Sequence, residues 1–355
     1  MSKQWTTVLI AASLALTLVS APALAFKSQY KMSMVVGPNT AWGMGAQRFA
    51  DLVKERTDGK INIKVYYSGA LFAGKQTNEF TLLRQGVADF SLASTINWSP
   101  QVKELNLFSL PFFFPDHASL DAVVQGKAGD QIFARLDRLG VKPLAWGENG
   151  FRQLTNSRHE IAAPADLADL KIRVVGSKLF IDTFQALGAN PTAMPYSEAL
   201  TALQQGVVDG QENPVGGVIV PYKLWQYSQK YLTVWNYVVD PLIYAVNGRE
   251  WKAFSPEIKK VLLQSAQDAA RYQKALARVG LDDGAALAYL KEQHEAPDVT
   301  DPYGVLEKNG VTVTRLDADQ LAAFKKKVAP VVDKWTDTIG ADLVDTARTD
   351  QKQAQ

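Results

Sequence analysis

The sequence contains no cysteine among its 355 residues. In an exported protein this absence excludes disulfide bonds and a lipid-bearing cysteine, and it also excludes thiolate catalysis and zinc ribbons. Histidine is scarce, and His117, His159 and His294 lack the i, i+4 pairing of a helical metal site. Charge of one sign is not in excess, because 38 Lys and Arg oppose 36 Asp and Glu. We therefore expect no metal ion and no nucleic-acid partner.

Cofactor-binding loops are also missing. The glycines of "GPNTAWGMG" do not have the spacing of a dinucleotide-binding loop, and no stretch matches a phosphate-binding P-loop. His159 lies between Arg158 and Glu160, a setting more typical of a solvated loop residue than of a general base. The sequence therefore predicts no catalytic residue, no cofactor and no enzymatic activity.

The first 25 residues have the composition of a secretion signal. Lys3 supplies a positive start, "VLIAASLALTLVS" is apolar, and "APALA" ends in the small-x-small pattern that signal peptidase recognises. An uncleaved membrane anchor is the alternative, but the apolar run is shorter than the ~20 residues that a membrane span needs. We predict cleavage after Ala25 and a periplasmic mature protein that begins at Phe26.

Two stretches of the chain are similar: "LLRQGVADF" ends at Phe90 and "ALQQGVVDG" ends at Gly210. In both, a helical pattern stops at a glycine, Gly86 or Gly206, and a strand-like pattern follows. Around each stretch the order is strand, helix, strand, helix, strand, which favours a mostly parallel sheet. Ser197 is placed to cap the second helix of the later unit. The sequence thus predicts an α/β fold with two similar lobes.

The last third of the chain has a different character. "WNYVVDPLIYAVN" is strand-like and interrupted by proline, and a long helical tract begins at Ser255. A late strand and a late helix follow, and "TARTDQKQAQ" has the composition of a solvated tail. We expect residues 26–149 with about 237–276 to form the first lobe, and residues 150–236 with about 277–355 to form the second.

A positive charge lies in a strand-like context in "LKIRVVG". Ile172 and Val174 have the pattern of a buried strand, whereas Arg173 places a guanidinium at the carboxyl end of that strand. Ligands of open α/β sheets bind at this end, and a guanidinium can hold a carboxylate through two parallel hydrogen bonds. The alternative is that Arg173 pairs with a neighbouring acid such as Asp169.

Other candidates surround the same predicted cleft. Arg152 and Asn213 are polar residues near strand ends, and Glu212 either positions the arginines or is solvated. Five aromatic residues at strand ends or junctions offer apolar walls, although most aromatics at such places belong to the core. They are Trp42, Trp98, Tyr196, Trp235 and Tyr237.

The block "LADLKIRVVGSKLFIDTFQALGANPTAMPYSEALTALQQGVVDGQENP", followed by "QKYLTVWNY", resembles the solute-binding subunit of tripartite ATP-independent periplasmic (TRAP) transporters of the DctP type. The resemblance implies a periplasmic binding protein fold: two α/β lobes joined by a strand hinge and long C-terminal helices. It further implies that the lobes close on a small organic acid and deliver it to the TRAP membrane permease subunits.

The resemblance assigns roles to residues of the motif. It implies that Arg173 clamps the ligand carboxylate, and that Arg152, Asn213 and Tyr196 are pocket residues. Ser94 and Thr95 correspond to the end of the first lobe's third strand, and we expect Trp42 to close the apolar side of the cleft. Gly217 and Gly216 stand where many members carry larger side chains, so they leave more room or bring backbone amides to the ligand.

Three alternatives remain open at this stage. A binding protein of an ATP-driven importer would share the lobes but not the long late helices, and a periplasmic sensor domain would need a partner kinase. A secreted enzyme could use Glu212 with His159 in the cleft. The substrate also stays open among dicarboxylates, sugar acids, keto acids and aromatic acids, because an arginine would bind the carboxylate of each.

Overall fold

The structure, a computed structural model, describes residues 26–353. The predicted signal segment and its cleavage site lie outside the described residues. The strands are β1 (Tyr30–Ser33), β2 (Ile63–Tyr66), β3 (Phe90–Ser94), β4 (Val141–Asn156), β5 (Lys171–Val174), β6 (Asn190–Ala193), β7 (Gly210–Pro214), β8 (Tyr231–Asn247) and β9 (Thr312–Arg315).

The helices of the first half are α1 (Ala41–Arg56), α2 (Glu79–Gln85), α3 (Thr95–Trp98), α4 (His117–Gln125), α5 (Lys127–Arg138), α6 (Lys178–Ala186) and α7 (Tyr196–Gln204). Those of the second half are α8 (Gly248–Ala253), α9 (Pro256–Arg278), α10 (Ala285–Glu292), α11 (Pro302–Lys308), α12 (Ala318–Ile339) and α13 (Ala341–Lys352). A 3₁₀ turn at Gln76–Asn78 and a π-helical turn at Val215–Ile219 lie next to the cleft described below.

The strands form one sheet in the order β2-β1-β3-β8-β4-β7-β5-β6, with β9 paired to β8. The first three strands are parallel to one another, as are β5, β6 and β7. The long strands β4 and β8 run antiparallel between these two groups. The predicted two-lobe α/β fold is therefore confirmed, and its two parallel groups share a single sheet.

The carboxyl ends of the two parallel groups meet at the middle of the sheet. The end of β3, Ser94, pairs with Leu242 of β8, and the end of β7, Pro214, pairs with Arg152 of β4. Register shifts interrupt the pairing of β4 with β8 in the same region, between Glu148 and Gly150 and again after Arg152. Such irregularities bend strands locally, so this segment is where the two lobes join.

The repeated stretches fold in the same way in both lobes. Gly86 and Gly206 take left-handed φ values of 84° and 68° beside the ends of α2 and α7. Three residues later, Asp89 accepts a hydrogen bond from the backbone N–H of Lys31 at 2.7 Å, and Asp209 accepts one from Lys171 at 2.9 Å. Each aspartate thus fixes its lobe's third strand beside the first, which explains why both stretches carry an aspartate at this position.

Helix α9 begins as predicted, with the Ser255 side chain accepting a hydrogen bond from Ile258 N–H. The prediction that Ser197 caps α7 is wrong. Helix α7 already begins at Tyr196, so Ser197 lies inside its first turn, and the residue in the capping position is Pro195, which has no side-chain acceptor. The tail prediction is wrong as well, because most of that segment is α13. Leu343, Val344 and Ala347 of this helix are buried in the core formed with α4 and α5.

The division of residues between the lobes stays a prediction. Helix α13 packs on α4 and α5, which the prediction places in the first lobe, although residues 277–355 were expected in the second. Helix α9 packs on α1 and on β4, so it runs alongside the segment where the lobes join. Within residues 26–353, no helix combines the length and the apolar character that a membrane crossing requires.

Candidate functional site

A cavity lies where the two lobes join. The first lobe contributes Val35, Val36, Trp42, Gln76, Ser94 and Asn97. The long strands β4 and β8, which run through both lobes, contribute Asn149, Arg152 and Asp240. The second lobe contributes Arg173, Val175, Tyr196, Asn213 and Val218. The structure therefore brings six of the eight predicted residues together, since only Thr95 and Gly217 are absent from this lining.

Arg173 is the most unusual side chain of the cavity. It is only 1% exposed, and its Nε and Nη2 atoms donate to the backbone carbonyl of Met194 at 3.1 and 2.8 Å. It forms no ion pair with any described residue, and the alternative partner Asp169 lies exposed. Burial lowers the pKa of Arg173 to about 10, although the negative charge of Glu212 opposes this shift. The Nη1 atom donates to no protein acceptor among the described residues.

Arg152, in contrast, is fully paired. Its guanidinium donates to both carboxylate oxygens and to the backbone carbonyl of Glu212, and Nη1 lies 3.3 Å from Asp240 Oδ2. Burial alone would lower the pKa of Arg152, but the negative charges of Glu212 and Asp240 have the larger combined effect, so the pKa of the guanidinium is raised. Tyr237 also donates to Glu212 at 2.8 Å. The predicted positioning role of Glu212 agrees with these contacts.

Asp240 of β8 connects the neighbouring strand β4 to the end of β3 in the first lobe. Its carboxylate accepts from Ser94 Oγ at 2.6 Å and from Asn149 Nδ2 at 2.9 Å, beside the contact with Arg152. Burial raises the pKa of Asp240, and the positive charge of Arg152 opposes that shift. Sequence reasoning missed Asp240, although a lone acid inside the apolar run "VVDPLIY" was a usable signal.

Tyr196 and Trp42 form parts of the cavity wall. The ring centre of Tyr196 lies 5.6 Å from the Arg173 guanidinium, and its hydroxyl is buried without a hydrogen-bond partner among the described residues. Trp42 donates from Nε1 to the Leu92 carbonyl at 2.7 Å, which fixes its ring. The other predicted aromatics belong to hydrophobic cores instead: Trp98, Trp235 and Tyr237.

Gln76 bridges the two lobes. Its Oε1 accepts from the backbone N–H of Tyr196, in the first turn of α7, at 2.7 Å, and its Nε2 donates to Asn97 Oδ1 at 2.7 Å. The first turn of a helix has free N–H groups, and here the opposite lobe supplies the acceptor that no local side chain provides. Nothing in the sequence around Gln76 indicated this contact.

Asn213 lies within β7, not after it, and its amide donates to Gln211 Oε1. Thr95 is the buried first residue of α3. Of the two alternatives for Gly216 and Gly217, extra room is wrong, whereas the approach of backbone amides to a ligand stays a prediction. A Cβ on Gly217 would lie 2.5 Å from the Asn149 carbonyl oxygen, and one on Gly216 would lie 2.9 Å from the Ala277 carbonyl oxygen. These glycines allow close packing of the π-helical turn.

The pair proposed for the enzyme alternative is not assembled in the cavity. His159 follows the end of β4, and its Nε2 lies 2.9 Å from the carbonyl of Asp166. Glu212 is held by Arg152 and Tyr237, and neither His159 nor Glu212 lines the cavity.

The family model for "Bacterial extracellular solute-binding protein, family 7", named DctP, matches residues 32–338. The chain belongs to this family. A solute-binding protein of a TRAP transporter from Ralstonia eutropha H16, solved with bound (S)-2-acetolactate, is 49% identical, with a TM-score of 0.87. The match covers 92% of this chain and all of that one.

Two sequence relatives have names that state other ligands. The 2,3-diketo-L-gulonate-binding periplasmic protein YiaO of Escherichia coli is 36% identical over 66% of this chain and 70% of its own. The C4-dicarboxylate-binding periplasmic protein DctP of Rhodobacter capsulatus is 30% identical over 92% of each chain. Relatives of this solute-binding protein therefore differ in ligand, and the residues of the cavity itself must distinguish among them.

Proposed function

We propose that this chain is the periplasmic solute-binding protein of a TRAP transporter, and that Arg173 binds the carboxylate of a small organic acid. The observation that carries the proposal is the burial of Arg173 without an acidic partner among the described residues. A buried, unpaired charge is unfavourable, so such a residue is typical of a site whose partner arrives with the ligand.

Each lobe contributes to one cavity, which gives a physical reason for ligand-driven closure. Arg173, Tyr196 and Asn213 belong to one side, whereas Trp42 and Gln76 belong to the other. A ligand that contacts both sides makes its full set of contacts only when the lobes are together, so binding shifts the population toward the closed form. The closed form is then the state that a membrane permease recognises.

Partner and location follow from the same proposal. We expect the signal segment to be cleaved after Ala25, and the mature protein to deliver an unmodified acid to TRAP permease subunits in the inner membrane. The relatives that bind acetolactate, diketogulonate and C4-dicarboxylates support an acid as the ligand class. Arg152 holds Glu212 and Asp240 in place beside Arg173.

The test is a thermal-shift screen of purified residues 26–355 against small organic acids, with Arg173→Ala beside the wild type. An acid at 100 times its Kd adds about 2.7 kcal/mol to the free energy of unfolding, which raises Tm by a few degrees. We expect this shift to vanish in Arg173→Ala, whereas Arg138→Ala, a change at an exposed arginine, should retain it.

Calorimetric titration then measures the affinities directly. Unchanged affinity in Arg173→Ala would remove the clamp from the proposal. NMR spectra of the acid before and after incubation with the protein should be identical, because we expect release without turnover; consumption of the acid would favour the enzyme alternative.

A further inference from the structure

We infer that the cavity selects a monocarboxylate with a small apolar body and one or two further oxygens, in preference to dicarboxylates and polyhydroxy acids. This inference rests on the proposed function and specifies its substrate class. Three features carry it: the charges in and beside the cavity, the engagement of its polar groups and its apolar wall.

The charge balance leaves one cation without a partner. Arg152 and Arg173 supply two positive charges, and Glu212 and Asp240 supply two negative charges. Both acids contact Arg152, so Arg173 alone remains for a ligand carboxylate. No lysine or histidine belongs to the lining. A second carboxylate would lose its hydration without gaining a cation, and it would approach Asp240.

Several neutral polar groups of the cavity already donate hydrogen bonds to partners within the protein. Ser94 and Asn149 donate to Asp240, Gln76 donates to Asn97, and Asn213 donates to Gln211. A ligand with four or five hydroxyls would therefore bury several of them without hydrogen bonds.

Among the residues that line the cavity, two buried oxygens have no partner in the described part of the chain: the hydroxyl of Tyr196 and Oδ1 of Asn149. The Tyr196 hydroxyl can donate to a keto or hydroxyl oxygen, and Asn149 Oδ1 can accept from a hydroxyl. These two groups suit a ligand with one or two oxygens besides its carboxylate.

The rest of the wall is apolar, and it consists of Val35, Val36, Trp42, Val175 and Val218. An aliphatic ligand body gains free energy by burial against these side chains, whereas a charged or hydroxylated one loses hydration there.

The test compares three acids that share a 2-hydroxycarboxylate group: 2-hydroxy-3-methylbutanoate, malate and erythronate. Malate carries a second carboxylate in place of the methyl groups, and erythronate carries additional hydroxyls. We expect isothermal titration to show that the monocarboxylate binds at least about 100-fold more tightly than either of the other two. Equal or tighter binding of malate or erythronate would overturn the inference.

The variant Asp240→Asn tests the charge argument directly. Asparagine retains an oxygen that can accept from Ser94, but it removes one negative charge beside Arg152. We expect the affinity for malate relative to that for the monocarboxylate to rise at least about 10-fold. A relative malate affinity that does not rise in a folded variant contradicts the charge argument; if the variant does not fold, the comparison of acids on the wild type decides.

The outcomes separate this inference from the proposed function. Tight malate binding that Arg173→Ala abolishes would leave the proposed function intact and refute the selectivity. If none of the three acids binds, mass spectrometry of acid extracted from the purified protein decides. A co-purified monocarboxylate supports the inference, a dicarboxylate or polyhydroxy acid refutes it, and the absence of any acid counts against both.

Discussion

Arg173 and Glu79 are both buried ionisable residues, and the surroundings of each decide whether it carries a charge. Arg173 keeps its charge beside a cavity that a ligand can enter, whereas Glu79 lies in the core, fully buried. Glu79 Oε1 accepts from Ser33 Oγ at 2.8 Å and from Ser91 Oγ at 2.9 Å, and Glu79 has no basic partner among the described residues. Burial raises the pKa of Glu79 to about 7 despite these hydrogen bonds.

This shift predicts a pH-dependent contribution to stability. A glutamate with a raised pKa in the folded state binds more protons folded than unfolded, so its contribution is complete below about pH 4.5 and is lost as the pH rises through about 7. We expect Glu79→Gln to gain stability relative to the wild type by up to about 3 kcal/mol between pH 4.5 and pH 8. Urea unfolding across this range measures the difference.

The exposed residue Glu55 provides the control for this measurement. Glu55→Gln should follow the wild type across the pH range. A stability difference between Glu79→Gln and the wild type that stays constant with pH would show that Glu79 does not titrate in this window.

Among the secondary-structure elements, α7 depends most clearly on the opposite lobe. Its first turn receives a hydrogen-bond acceptor from Gln76, across the cleft. We expect Gln76→Ala to shift the lobes toward an open form, because a lost helix cap costs about 1 kcal/mol and this one is lost only from the closed state. The affinity for the ligand should fall about 5-fold to 10-fold.

The absence of cysteine makes this closure measurable. Val87 and Val207 are 42% and 53% exposed at equivalent positions of the two lobes, so spin labels at Val87→Cys and Val207→Cys report the distance between them. Gln76→Ala without added ligand should lengthen the mean distance, whereas Asn97→Ala, which removes only the contact within the first lobe, should not. Equal distance distributions in both variants and the parent would argue against a capping role.

For the whole molecule, shared elements predict cooperative unfolding. Strands β4 and β8, of 16 and 17 residues, pass through both lobes, and α9 packs on β4. Neither lobe can lose its sheet without disrupting strands of the other. We expect scanning calorimetry to show one transition with equal calorimetric and van't Hoff enthalpies, which a bound acid moves upward without splitting. Two separate transitions would mean that the lobes unfold independently.

Local patterns in the sequence determined much of this protein. Periodicity and the glycine stops predicted the repeated units, and the strand pattern of "KIRV" placed Arg173 at a sheet edge, because these features depend on neighbouring residues. The resemblance assigned pocket roles to Arg152, Asn213 and Tyr196 and added Ser94, but it did not indicate Gln76 or Asp240. The tertiary structure alone decided which charges are neutralised, since Arg152 meets Glu212 60 residues away and Asp240 88 residues away. Gln76 likewise meets Tyr196 across 120 residues. Such contacts exist only where β4 and β8 pass from one lobe to the other, a geometry that no local pattern encodes.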